Sequence, residues 1–154
     1  MLFKQLIKKH GATNYENLKP FIEVVDKADG HAHFKAEGFM DLVIENLERR
    51  ETFLGSPMDV YSIAHYGEQN GDLMADPDIE FGVINDGERT RVIPMTFQND
   101  YMAIYQQVFH YSSVKGWTFS NRLLIDLDEF LYEWLKNIKE QGFYDDIPNA
   151  GNRN

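Results

Sequence analysis

The fold class this sequence predicts is α+β. It has an antiparallel meander sheet of four to five strands, one or more helices before it, and a long helix packed on it from the C-terminal side. Three observations carry that prediction. Residues 123–138 hold a continuous apolar stripe at helical spacing. Four runs between residues 39 and 97 are apolar and β-branched with partial alternation. The connections between them are too short for the dozen or more residues of a parallel crossover. Length (154 residues) and composition (43% hydrophobic, 14% aromatic) suit one domain over residues 1–144, with a flexible polar tail at 145–154.

Taken in order, Leu2, Phe3, Leu6 and Ile7 recur on one helical face, and Gly11 is placed to end that helix. Asn14 suits the cap of a second short helix, which Pro20 interrupts. Residues 26–33 are polar with Gly30 and read as a connection. Strands follow at 39–47, 60–66, 79–84 and 91–97, the last two joined through Asp86-Gly87, a hairpin signal. Residues 101–111 fit both a helical stripe and a strand face; aromatic and β-branched content favours a strand. The closing helix runs along Leu123, Leu124, Leu127, Phe130, Leu131, Trp134, Leu135 and Ile138. Acids at 126–129 lie near its start, and Gly142 suits the residue just past its end.

Composition removes several classes of function. No run approaches the roughly 18 apolar residues of a membrane span, and MLFKQLIKKH lacks the apolar core of a signal peptide, so a cytoplasmic protein with no membrane partner is expected. Without cysteine there is no thiol nucleophile, disulfide framework or cysteine-based metal site. Net charge is −10 and uneven. Residues 1–50 hold eight acids and eight bases; residues 51–154 hold seventeen acids and seven bases, the whole excess. Such a surface disfavours direct nucleic-acid binding and favours a basic protein surface or a cation. Composition leaves the oligomeric state open.

The most unusual stretch follows the second strand. Glu68, Asp72, Asp76, Asp78 and Glu80 put five carboxylates into thirteen residues with no base among them. The strand boundaries make residues 67–77 an eleven-residue connection, longer than a hairpin needs, and long connections collect binding residues. Oxygen-rich loops suit divalent cations. With His65, the residues Asp72, Asp76 and Asp78 form a candidate metal set, and Glu68 a candidate general base on bound water. No EF-hand spacing or HExxH is present, and a solvated turn-rich loop accounts for the same residues. His31 and His33 read as surface histidines, and His65 as a half-buried, hydrogen-bonded one, since it follows Tyr61 and Ile63 on one strand face. The aromatics Tyr101, Tyr105, Phe109, Tyr111, Trp117 and Phe119 read chiefly as packing around the closing helix.

Residues 63–81, IAHYGEQNGDLMADPDIEF, resemble a family of small uncharacterised bacterial domains encoded on plasmids and integrative conjugative elements. The likeness continues through PMTFQNDY at 94–101 and YQQV at 105–108. It implies a mobile-element setting without a reaction, and marks His65, Glu68, Asn70, Gly71, Asp72, Asp76, Pro77, Asn99 and Asp100. The combined reading is a non-enzymatic accessory protein with no cofactor. Its binding residues would be Glu68, Asn70, Asp72, Asp76, Asp78, Glu80, Asn99 and Asp100. The alternative is a metal-dependent hydrolase or nuclease built on His65 and the nearby aspartates.

Overall fold

A computed structural model describes residues 9–53 and 55–151. Helix α1 (Gly11–Lys27) leads into strands β1 (His31–Phe34), β2 (Leu42–Phe53), β3 (Ser56–Gln69), β4 (Asp72–Asn85), β5 (Thr90–Asn99) and β6 (Ile104–Gln107). These six make one antiparallel sheet in the order β1-β2-β3-β4-β5-β6. A separate hairpin, β7 (Phe109–Ser112) with β8 (Gly116–Phe119), precedes helix α2 (Asn121–Glu140). A 3₁₀ turn (Phe143–Asp146) and the short helix α3 (Ile147–Ala150) end the described chain. No helix among the described residues is long and apolar enough to cross a membrane.

The fold class and meander order agree with expectation; the strand count is six rather than four to five. The proposed helix at residues 2–7 lies outside the described residues. Gly11 does not end a helix but begins α1, and Pro20 lies inside it. A proline there costs about 3 kcal/mol. Leu18, Phe21, Ile22 and Val25 form a buried stripe at 3.6-residue spacing, and at about 1.5–3 kcal/mol each their burial outweighs that cost. Asn14, expected as a cap, is fully buried in the helix. The expected connection at 26–33 contains β1, whose alternation places Ala32 and Phe34 inward and His31 and His33 outward.

The first face of the sheet carries Ile44, Tyr61, Ile63, Ile79, Phe81 and Val92, and packs against the α1 stripe and Leu131, Trp134, Leu135 and Ile138 of α2. A second cluster joins Phe53, Met58, Ile84 and Ile93 to Val108 and to Leu124 and Leu127 at the start of α2. Ser120 caps that helix, its hydroxyl accepting from the Leu123 N–H at 3.3 Å, and Gly142 adopts φ 96° just past its end, as expected. The first turn of α2 holds no acid. Asp128 instead faces inward, 3% exposed, and burial pushes its carboxyl up to about 6. Residues expected as a frayed tail are helical through Ala150, which is buried, and Asp146 accepts a bond from the Lys35 N–H at 2.8 Å.

Candidate functional site

The expected eleven-residue loop at 67–77 is instead the end of a long hairpin. β3 and β4 are each fourteen residues long and meet at a two-residue turn, Asn70-Gly71. Both turn residues have positive φ, 54° and 88°, the combination of a type I′ turn that matches strand twist. β2 pairs with β3 no further than His65, and β5 pairs with β4 only from Asp78. Residues 66–69 and 72–75 therefore pair with each other alone. At about 3.3 Å per residue they form a ribbon projecting roughly 13 Å beyond the sheet. Asp76 and Pro77 together oppose the single residue His65 in the register, a bulge that accommodates a proline inside a strand.

The predicted site residues fall into four groups. Glu68, Asn70 and Asp72 are exposed on the ribbon beside Leu73, which is 74% exposed. Neither Glu68 nor Asp72 meets a cation within ion-pair distance among the described residues. Asp76, Asn99 and Asp100 instead brace the root of the ribbon. The Ala75 N–H donates to Asp100 Oδ2 at 2.7 Å, the Asp100 N–H returns a bond to the Ala75 carbonyl at 2.9 Å, and Asn99 Nδ2 donates to Asp76 Oδ1 at 3.2 Å. The Gln98 amide and the Ala75 N–H hold the Asp100 carboxyl below its ordinary value. Tyr101 lies against Gly67, where any side chain would meet its hydroxyl.

Asp78 and Glu80 belong to the second sheet face. Directly opposed residues share a face, so the register lines up Glu45, Ser62, Glu80, Thr96 and Gln107 as one polar row across five strands. Arg49 reaches Glu80 at 3.0 Å and Glu51 at 3.3 Å. Asp78 accepts from the Tyr66 hydroxyl at 3.1 Å. Burial, reinforced by Glu80, Glu45 and Asp100, pushes the Asp78 carboxyl up to about 6, and its buried Oδ1 has no hydrogen-bond partner among the described residues. Burial and Asp78 together raise the Tyr66 hydroxyl. Part of the row borders a cleft of about 280 Å³ between the sheet and the β7–β8 hairpin, floored by Met58 and Met95 and rimmed by Tyr105 and Trp117. This row escapes sequence reading because it is assembled only by strand register.

His65 lies on the opposite face. Its Nδ1 is 3.0 Å from the Asp41 carbonyl, and its ring packs 5.6 Å from those of Trp134 and Phe143. It is hydrogen-bonded as expected, and more fully buried than expected, at 8% exposure. The structure thus does not bring His65, Asp72, Asp76 and Asp78 together, and no group of three His, Asp or Glu side chains among the described residues is placed to hold a metal. Of the aromatics, Phe109 and Phe119 pack as expected, whereas Tyr101, Tyr105, Tyr111 and Trp117 are exposed.

No curated protein and no solved structure matches the chain. A family pattern does match, over residues 2–144, and the chain belongs to that family, the domain of unknown function DUF6908.

Proposed function

We propose that this chain is a non-enzymatic interaction protein, an accessory of a mobile genetic element, whose acidic β3–β4 ribbon engages a basic surface on a partner protein. The observation carrying this reading is the ribbon itself, which extends past both neighbouring strands with the carboxylates of Glu68 and Asp72 at its end meeting no cation among the described residues. Leu73 beside them supplies an apolar contact. The bonds from Asn99 and Asp100 hold the ribbon root in place, so docking orders little backbone. The mobile-element setting rests on the resemblance over residues 60–108.

The energetics favour a modest, salt-sensitive association. Each exposed ion pair contributes about 0.2–1 kcal/mol, and burying Leu73 adds on the order of 1–2 kcal/mol. A partner must therefore touch more than the tip. A photo-cross-linking residue replacing Leu73 in the host cell tests the reading. The expected product joins the chain to a protein with a basic surface and disappears when Glu68→Lys and Asp72→Lys are combined. A product of unchanged yield in that double variant refutes it.

A further inference from the structure

We propose that a second copy of this chain pairs along strand β6, joining two sheets edge to edge. β6 is the last strand of the sheet, and residues 104–107 make no backbone hydrogen bond outside their pairing with β5 among the described residues. An edge left in that state is a template for another strand. At the other edge, the residue after β1 is clasped: the Lys35 N–H donates to Asp146 and its ammonium pairs with Asp41 at 2.8 Å. Among the described residues β6 has no such clasp.

Charge decides which occupant fits. Residues 101–114 contain no Lys, Arg, Asp or Glu, although such residues make up 26% of the chain, a share that would put about four of them in fourteen positions. A basic partner gains nothing from a neutral strip when carboxylates stand exposed on the ribbon. Two copies that each carry −10 repel least where the facing edge strand and its flanks carry no charged residue of their own. A two-fold axis also makes an antiparallel edge complementary to itself.

The strip and the adjoining β8 together carry the apolar surface such a contact needs. Tyr105, Tyr111 and Trp117 are 56%, 66% and 64% exposed, with Tyr111 and Trp117 rings 5.4 Å apart and Tyr105 and Trp117 on one cleft rim. Tyr101, Met102 and Val114 extend it. Together these six expose on the order of 700 Å², close to the roughly 800 Å² that each partner contributes to a standard interface.

This inference does not rest on the ribbon, and salt separates the two. Screening weakens a contact between acidic and basic surfaces but strengthens one between two like-charged copies. Sedimentation equilibrium of the full chain, from about 1 to about 300 µM, at about 0.1 and about 1 M NaCl, is the test. The expected result is an 18.0 kDa monomer in equilibrium with a species of twice that mass, tighter at high salt. Gln106→Lys, which sets like charges against each other at the edge, and Trp117→Ser, which removes an exposed ring, should each weaken it about tenfold or more. A monomer throughout the range at both salts overturns the inference. So does a dimer that weakens with salt, or one that both variants leave intact.

Discussion

Asp86→Ala probes the joint that sets the β4–β5 hairpin. The Asp86 side chain is 5% exposed and accepts bonds from the Glu88 and Arg89 N–H groups, both at 2.9 Å, and from Arg91 Nε at 2.5 Å. The Arg89 N–H first, then Arg91, hold its carboxyl far below the ordinary range. Arg91 is equally buried, and the N-terminus of α1 packs on its stem, where a Cβ on Gly11 would stand 3.2 Å from Arg91 Cβ. Removing the carboxylate leaves a buried guanidinium whose nearest remaining acid, Glu88, is 3.9 Å away and 59% exposed. Breaking one side of a buried pair costs about 3–5 kcal/mol. Glu88 can swing toward Arg91, so the lower end applies. For a chain of this size about 3 kcal/mol lowers Tm by roughly 6–12 °C. Thermal unfolding followed by circular dichroism reads the change. Adding Arg91→Met to Asp86→Ala should recover most of the loss, because the orphaned charge is then gone. A single variant that melts within about 2 °C of the parent, or a double variant less stable than the single, would mean that Asp86 does not compensate a buried charge on Arg91.

Three further outcomes follow from the geometry. Asp78 has its folded pKa raised to about 6 from 3.8, so the folded state binds the proton more tightly than the unfolded one. Its contribution to stability is full below about 4 and is lost as pH rises to about 6. Asp78→Asn should therefore raise Tm at pH 7.5 and leave it nearly unchanged at pH 4, a contrast that melts at the two pH values measure directly. Gly82→Ala and Gly67→Ala should differ although both crowd a neighbour. At Gly82 the new Cβ meets buried Met58 Sδ at 2.7 Å and should cost about 1–3 kcal/mol in chemical denaturation. At Gly67 it meets the exposed Tyr101 hydroxyl, which can swing into water, so a cost under about 0.5 kcal/mol is expected.

The contrast between sequence and structure is clearest in α2 and β4. Every apolar position of the 123–138 stripe is short-range information, and Gly142 closes the helix as its lack of a side chain suggested. The Asp86-Gly87 turn was equally readable, because turn chemistry is local. β4 was obscured by Asp76-Pro77, which reads as a turn unless the pairing with β3 is known to make it a bulge opposite His65. β2 hid its second half in charged residues 48–51, of which Glu48 lies within a register shift between Asn46 and Arg49 and the rest follow it. Within the candidate site, the acids of the ribbon were visible from charge alone. The bracing roles of Asn99 and Asp100, and the polar row from Glu45 to Gln107, depend on partners 16 or more residues apart or on pairing across several strands.

The proposed role makes the acidic ribbon the surface that a basic partner meets. The most direct measurement is an amide NMR titration of the ¹⁵N-labelled chain with a short Lys- and Leu-containing peptide, repeated at high salt. Shifts concentrated at residues 66–76, reduced by salt and absent when Glu68→Lys and Asp72→Lys are combined, are the expected result. Shifts confined to other parts of the sheet, or a ribbon that stays silent while the peptide binds, would contradict it.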